Sequence, residues 1–157
     1  MNTPRFHTVG IVGTGAMGRG IAQIAAQAGS TVLLFDTQAD AIAKARDALG
    51  AQWDKLVDKG RLDATDAAAH KQRLRPAARL AELAGCDLVV EAIVEKLDVK
   101  QGLFAELEGV VGPDAVLATN TSSLSVTAIA AGLKRPQRFA GYHFFNPVPL
   151  MKVVEVI

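Results

Sequence analysis

The chain has 157 residues, the size of one domain with a single well-buried core. Half of its residues are hydrophobic, and 17 basic against 16 acidic side chains give a net charge of +1, which argues against binding to nucleic acid or to an anionic membrane. The apolar stretches are too short to span a bilayer and the N-terminus lacks the pattern of a signal peptide, so we expect a cytoplasmic protein.

Short apolar runs alternate with longer amphipathic runs, an order typical of a parallel sheet covered by helices. The predicted strands are Thr8–Val12, Thr31–Phe35, Asp87–Ala92, Ala115–Thr119, Arg138–His143 and Lys152–Val156. The predicted helices are Ala16–Ala28, Ala39–Lys59, Ala64–Arg73, Leu97–Val111 and Val126–Leu133. The predicted fold class is therefore α/β, with a doubly wound, mostly parallel sheet of the Rossmann type.

A glycine-rich run, Gly13–Gly20, lies between the first strand and the first helix and reads GTGAMGRG. In a strand-to-helix turn, Gly13 permits the tight bend, Gly15 lets a pyrophosphate approach the backbone, and Gly18 lets the helix pack closely on the strand. The start of the helix adds unpaired N–H groups and a partial positive charge. We interpret this run as a phosphate-binding turn; the alternative is a glycine turn that serves structure alone.

An acidic residue ends the second predicted strand. Asp36 follows the glycine run by about 20 residues, the position from which a carboxylate accepts hydrogen bonds from an adenosine ribose. Thr37 and Gln38 come next, so no adjacent arginine is available to bind the 2′-phosphate of NADP. The sequence therefore predicts NAD rather than NADP as the cofactor.

The segment from Ala39 to Arg73 is longer than a simple crossover needs, with a Lys59-Gly60 turn between two helices. We predict a helical hairpin that protrudes from the sheet. Its basic side chains form either a solvated face or an arm that contacts an anionic, phosphorylated substrate. They are Lys55, Lys59, Arg61, Lys71, Arg73 and Arg75.

Only one cysteine is present, which excludes an internal disulfide and a cysteine-based metal cluster, and no metal site is predicted. Cys86 begins an apolar run, so we interpret it as a small core residue rather than a reactive thiol. Near the C-terminus, Asn146-Pro147-Val148-Pro149 holds two prolines that fix φ and remove donors. This segment should be an ordered turn into the last strand.

Polar side chains follow three later strands: Glu95, the run Asn120–Ser123, and His143, with Glu155 twelve residues after His143. Each has a purely structural explanation, as a helix cap, a core histidine or the outward residue of an edge strand. Together they supply a proton acceptor active near neutral pH, a carboxylate to orient it, and donors for a substrate oxygen. Oxidation of an alcohol by hydride transfer requires this set.

Four segments resemble the NAD-binding domain of the 3-hydroxyacyl-CoA dehydrogenases: Gly13–Gln23, Val89–Glu95, Asn120–Leu124 and His143–Lys152. The resemblance covers essentially the whole chain. It implies NAD-dependent oxidation of (S)-3-hydroxyacyl-CoA to 3-oxoacyl-CoA in fatty-acid or related acyl-CoA metabolism. Related β-hydroxyacid dehydrogenases share the glycine turn but rely on a lysine for acid–base work.

The resemblance also implies a role for each matching residue. The backbone around the pyrophosphate is implied to be that of Gly13, Gly15, Ala16, Met17 and Gly18. Asp36 is implied to bind the adenosine ribose. The nicotinamide site is implied to be lined by Glu95, Lys100 and Asn120. His143 is implied as the general base and Glu155 as the carboxylate that orients it. Ser122 and Asn146 are implied to hydrogen-bond the substrate oxygens.

In that family a second, mostly helical domain follows the final strand, completes the active site and forms a homodimer. We expect residues 1–157 to be the NAD-binding domain, with the helical domain absent from this chain. The chain by itself should then bind NAD and turn over acyl-CoA poorly. Two alternatives stay open: a hydroxyacid dehydrogenase that does not use CoA, and a non-catalytic NAD-binding module.

Overall fold

The computed structural model describes residues 3–151 and 153–157, and in these residues seven strands form one sheet. The strands are β1 (Thr8–Val12), β2 (Thr31–Phe35), β3 (Leu74–Pro76), β4 (Leu88–Glu91), β5 (Val116–Thr119), β6 (Phe139–Phe144) and β7 (Val154–Val156). Their order is β3-β2-β1-β4-β5-β6-β7. Neighbours from β3 to β6 are parallel, and only β7 runs antiparallel, against β6.

Helices cover both faces of the sheet. They are α1 (Ala16–Gln27), α2 (Ala41–Asp58), α3 (Ala64–Arg73), α4 (Leu97–Val110) and α5 (Val126–Ala130), with short 3-10 turns at Leu80–Leu83 and Pro136–Arg138. One core layer joins α1, α2 and α3 to the sheet around Ile11, Leu34 and Trp53. The other joins α4 and α5 to the opposite face around Val89 and Phe104. The predicted doubly wound α/β fold is confirmed.

The predicted and observed elements differ mainly at their ends. Helix α5 ends at Ala130 rather than Leu133, and strand β6 runs to Phe144 rather than His143. Strand β3 was not predicted, because its three residues include an arginine and a proline. A proline is tolerated in this edge strand, because no further strand requires the backbone N–H that proline lacks. Lys152, the predicted start of the last strand, lies outside the described residues.

The predicted helical hairpin is present as α2 and α3, and one of its faces packs against α1. The Trp53 ring is fully buried, its Nε1–H donates to Gln27 Oε1 at 2.9 Å, and the His70 ring lies 5.2 Å away, centroid to centroid. Arg73 donates to the Ala26 carbonyl at 2.9 Å, and Lys71 pairs with an exposed aspartate at 2.6 Å. Two of the six basic residues predicted on the hairpin, Lys71 and Arg73, therefore stabilise the hairpin and its packing on α1.

The single cysteine is a core residue, as predicted. Cys86 is 4% exposed, and burial, aided by the neighbouring Asp87 charge, raises the pKa of its thiol to about 12. A thiol with so high a pKa stays protonated and unreactive near neutral pH. Among the described residues, no helix combines the length and apolarity needed to cross a membrane.

The strand order determines where a ligand can bind. The chain leaves β1 for β2 on one side and reaches β4 on the other, so the connections diverge between β1 and β4. In open α/β sheets this divergence opens a crevice at the carboxyl ends of the strands. The glycine turn, Glu95, Asn120 and His143 all lie at or just beyond those ends.

Candidate active site

The glycine turn, residues 13–20, has no room for a side chain at Gly13 or Gly18. Gly13 has φ +98°, and a Cβ there would lie 2.6 Å from the Ala92 carbonyl oxygen. A Cβ on Gly18 would lie 1.7 Å from the Gly13 oxygen. Gly15 is different, since nothing lies within 4 Å of its Cβ position. Gly13 and Gly18 are therefore needed for packing, whereas the open space at Gly15 lets a ligand reach the backbone.

A first cavity of about 250 Å³, the Asp36 cavity, lies between this turn and the ends of β2 and β4. Asp36 Oδ2 accepts the N–H and the hydroxyl of Thr14, both at 2.8 Å, and Oδ1 accepts the Gln38 N–H at 2.9 Å. Burial alone would raise the pKa of Asp36, but these donors outweigh it and lower the pKa below the usual value. The carboxylate is ionised and fixed in place beside the cavity.

The start of α1 faces the space above Gly15. The first hydrogen bond of the helix runs from the Arg19 N–H to the Gly15 carbonyl at 2.8 Å. The N–H groups of Ala16, Met17 and Gly18 precede that bond and are free of it. An open glycine, unpaired N–H groups and an ionised carboxylate to one side fit a dinucleotide, whose pyrophosphate is anionic and whose ribose donates hydrogen bonds.

A second cavity of about 370 Å³, the His143 cavity, lies on the other side of the turn. The two cavities share Ala92 and Ile93 in their walls. The other lining residues come from α1, from beyond β4 and β5, and from the end of β6: Met17, Glu95, Asn120, Ser122, His143, Phe144, Phe145 and Asn146. The structure thus brings together residues that are up to 129 positions apart, counting from Met17 to Asn146.

His143 and Glu155 face one another across β6 and β7. They are register partners in this antiparallel pair, and His143 Nδ1 lies 3.7 Å from Glu155 Oε1. The His143 side chain is 22% exposed and that of Glu155 is 55% exposed. The separation between these two atoms is longer than a hydrogen bond. The Phe145 ring packs on the imidazole with centroids 4.7 Å apart.

Lys100 does not line the His143 cavity, contrary to what the resemblance implied. It lies on the inner face of α4 with no exposed surface, where Nζ pairs with Glu91 and contacts Glu95 Oε1 at 3.2 Å. Lysine is rarely buried unless paired, so two carboxylates must hold it there. Lys100 reaches the cavity only through Glu95.

Glu91 was missed as a functional candidate, although the sequence shows an acidic residue at the end of an apolar strand. It is completely buried, and its carboxylate accepts the Ile93 N–H at 2.7 Å, the Thr119 hydroxyl at 2.6 Å and the Lys100 ammonium. The side chain thus has three partners, and the Glu91 backbone carbonyl accepts the Asn120 N–H at 2.9 Å. The Thr119 and Asn120 bonds join β4 to β5 below the cavity, and the Lys100 contact joins β4 to α4. The signal in the sequence was an acidic residue that directly follows two valines in an apolar run, where a buried charge needs partners.

Glu95 and Asn120 form the wall that these buried groups support. Glu95 Oε2 accepts the hydroxyls of Thr121 at 2.6 Å and Ser123 at 3.0 Å. Partial burial acts to raise the pKa of Glu95, but these hydroxyls and Lys100 lower it overall. Asn120 Oδ1 accepts the Phe144 N–H at 2.9 Å, which ties the end of β5 to β6.

The predicted turn at Asn146–Pro149 is ordered. The Leu150 and Met151 N–H groups donate to the Pro147 carbonyl at 3.1 and 3.0 Å, and the Asn146–Pro147 peptide bond is cis. Val148 is 5% exposed and belongs to the core layer of α1. Asn146 is thereby held in the wall of the His143 cavity.

The fold and the site define a nucleotide-binding domain of a dehydrogenase. Residues 8–157 match the family described as 3-hydroxyacyl-CoA dehydrogenase, NAD binding domain, and the chain belongs to this family. The family assignment and the cofactor NAD, both predicted from the sequence, are confirmed. The roles of the individual site residues stay predictions.

Two curated relatives show the similarity in sequence. The chain is 49% identical to 3-hydroxyadipyl-CoA dehydrogenase of Escherichia coli (strain K12) over 96% of its own length and 32% of the relative's. It is 44% identical to 3-hydroxybutyryl-CoA dehydrogenase of Bradyrhizobium diazoefficiens, over 95% and 51%. The chain thus spans a third to a half of the length of these relatives.

A solved structure shows the same similarity in three dimensions. The crystal structure of 3-hydroxybutyryl-CoA dehydrogenase from Escherichia coli K12 has a TM-score of 0.94 and 48% sequence identity. The match covers 98% of this chain and 32% of that one.

Proposed function

We propose that this chain is the NAD-binding half of an enzyme that oxidises (S)-3-hydroxyacyl-CoA to 3-oxoacyl-CoA in fatty-acid or related acyl-CoA metabolism. One observation carries the proposal: the His143–Glu155 pair opens on a cavity that shares a wall with the glycine turn and Asp36. A proton acceptor and a dinucleotide site are thus adjacent. The names of the two curated relatives, 3-hydroxyadipyl-CoA dehydrogenase and 3-hydroxybutyryl-CoA dehydrogenase, support the substrate class.

The cofactor would span the two cavities. The N–H groups of Ala16 and Met17 and the backbone of Gly15 would hold the pyrophosphate, and Asp36 the adenosine ribose. Glu95 and Asn120 would line the nicotinamide side, with Lys100 fixing Glu95 from behind. Bound NAD would supply the acceptor for the hydride that leaves the substrate carbon.

His143 would take the proton of the 3-hydroxyl group. Glu155 faces Nδ1, so a proton on that nitrogen is stabilised and Nε2 is left as the base. The carboxylate would also lie beside the imidazolium that forms once the proton has been taken. In the reductive direction the same imidazolium would return its proton to the substrate oxygen.

Ser122 and Asn146 would hydrogen-bond the substrate oxygens. Both residues line the His143 cavity, and both are exposed, so a substrate can reach them without displacing core side chains. A hydroxyl and an amide are suitable donors for an alcohol or ketone oxygen and for a thioester carbonyl.

We also propose that the chain alone binds NADH and turns over acyl-CoA poorly. The exposure of Glu155, Ser122 and Asn146 supports this, because water around an ion pair or a hydrogen-bond donor weakens it. The relatives are two to three times as long, and we propose that the additional length covers this cavity and forms a homodimer. We place the enzyme in the cytoplasm, consistent with a single buried, unreactive thiol.

The proposal is tested by initial rates of NADH oxidation with acetoacetyl-CoA, in an enzyme of the relatives' length that contains this domain. We expect turnover with the thioester and little with free acetoacetate at the same concentration. Equal rates with both would favour a hydroxyacid dehydrogenase that does not use CoA. Binding of NADH without any turnover of either would favour a non-catalytic NAD-binding module.

A further inference from the structure

The fourth glycine of the glycine turn, Gly20, has no place in the phosphate-binding motif. It lies in the second turn of α1, is buried, and faces the Asn146–Pro149 turn rather than the sheet. A Cβ on Gly20 would lie 2.8 Å from Val148 Cβ and 3.0 Å from Val148 Cγ2. Ordinary contacts of a Cβ begin at 3.4 Å, so one added methyl group would force a movement of roughly half an ångström or more.

The atoms that would have to move are not flexible. Val148 is β-branched and stiff at χ1, and it lies between two prolines, each with its φ fixed by a ring. It is also the buried member of its turn, since Asn146, Pro147 and Leu150 are exposed. Val148 therefore anchors the turn to the core, and Gly20 forms part of the surface on which Val148 packs.

Gly18 and Gly20 face different parts of the site. Two residues apart on a helix, they point roughly 200° apart around its axis. The Cβ position of Gly18 faces the Gly13 carbonyl and Ile11, whereas that of Gly20 faces Val148. One helix is thus fixed to the cofactor turn on one side and to the turn that carries Asn146 on the other.

We propose that Gly20 is a positioning residue for the substrate side of the site: its bare backbone receives Val148 and so sets where Asn146 stands in the His143 cavity. The proposal rests on the proposed function in assigning Asn146 to the substrate. Helix propensity predicts the opposite outcome for Gly20→Ala, because alanine is favoured over glycine inside a helix. A stabilising or neutral effect is therefore the alternative result.

The test is a double-mutant cycle of Gly20→Ala, which adds a methyl group on one side of the contact, and Val148→Gly, which removes the side-chain atoms that this methyl group would meet on the other. Gly102→Ala is the matched control, because Gly102 also lies inside a helix, α4, and nothing lies within 4 Å of its Cβ position. For each variant, the NMR amide signals of Asn146 and Leu150 and the Kd for NADH are measured on this chain. The kcat/KM for acetoacetyl-CoA is measured in the enzyme.

We expect Gly20→Ala to shift the turn signals and to lower kcat/KM by about 10- to 100-fold, with the Kd for NADH within about twofold of the parent value. The same substitution in the Val148→Gly background, and Gly102→Ala, should have little effect. An unchanged Gly20→Ala variant, an equal effect in both backgrounds, or an equal loss of NADH binding would each overturn the proposal.

Folding failure is also informative. If Gly20→Ala unfolds the chain and Val148→Gly restores its fold, the contact is as proposed; if Val148→Gly folds alone but the double variant does not, the added methyl clashes elsewhere and the proposal is wrong. The NMR arm needs no turnover. An enzyme that ignores CoA thioesters would refute the proposed function while the turn signals still decide the role of Gly20.

Discussion

The two halves of the site are built in different ways. The cofactor half is local, because Gly13, Gly15, Gly18 and Asp36 lie within 24 residues on β1, α1 and β2, and its groups are held by short hydrogen bonds. The reacting half draws on three strand ends, and its central pair, His143 and Glu155, is partly exposed and 3.7 Å apart. The cofactor half is preorganised by its own sequence, whereas the reacting half depends on long-range packing.

The largest expected effect comes from removing the proposed base. His143→Ala should lower kcat about 10²- to 10⁴-fold in the enzyme and leave the Kd for NADH nearly unchanged, because the residue acts only in the reacting half. Steady-state rates and NADH fluorescence titration measure the two quantities. His70→Gln, on the hairpin, is the control and should leave turnover unchanged. Parallel loss of cofactor binding in His143→Ala would make the residue structural.

The buried support beneath the reacting half should show in stability. Lys100→Met leaves Glu91 and Glu95 without their cation, and we expect the free energy of unfolding to fall by about 3–5 kcal/mol in urea denaturation. Lys71→Met removes an exposed pair and should cost no more than about 1 kcal/mol. Similar losses for the two variants would show that the Glu91–Lys100–Glu95 group does not support the cavity wall.

Removing Asp36, the proposed ribose-binding carboxylate, should affect the cofactor half alone. Asp36→Ala should weaken NADH binding about 10- to 100-fold, the loss of hydrogen bonds to a charged group, and leave kcat at saturating cofactor little changed. Calorimetric titration gives the Kd. Asp40→Ala, four residues away on the surface, is the control and should bind NADH as the parent does. If kcat at saturating cofactor fell by as large a factor as NADH binding, the two halves of the site would not act independently.

The smallest effect concerns pH and the hairpin. Burial against Trp53, then the Arg73 charge, lowers the pKa of His70 below its usual 6.5, while Asp66 acts in the opposite direction. Between the two pKa values, His70 is protonated in the unfolded chain but neutral in the folded chain. The free energy of unfolding therefore falls as pH drops below about 6.5 and levels off below the pKa of His70 in the folded chain. Urea midpoints measured across this range should vary less in His70→Gln than in the parent. An equally steep dependence in His70→Gln would assign it to other groups.

The difference between the halves also explains what the sequence could predict. The glycine turn and Asp36 were found directly, because spacing within one βαβ unit encodes their geometry. His143 and Glu155 were predicted as site residues from the sequence, and they are register partners in the structure. Their pairing depends on β7 running antiparallel to β6, which no local sequence pattern indicates. Burial of Lys100 depends on packing of α4 against β4 and β5, and so was not predicted.

The elements of the fold show the same contrast between local and long-range interactions. Strands β1 and β2 were predicted to the residue, since each is an apolar run bounded by clear turn signals. Strand β3 could not be predicted, because Leu74-Arg75-Pro76 is extended only through its pairing with β2. The contact of Gly20 with Val148 likewise joins residues 128 positions apart, beyond the reach of any local pattern.

We propose that the cofactor half of the site is complete within this chain. Calorimetric titration of the folded 157-residue chain with NADH tests it most directly. We predict saturable binding of one NADH per chain, weakened by Asp36→Ala and unaffected by His143→Ala. A folded chain that binds no NADH would contradict the account.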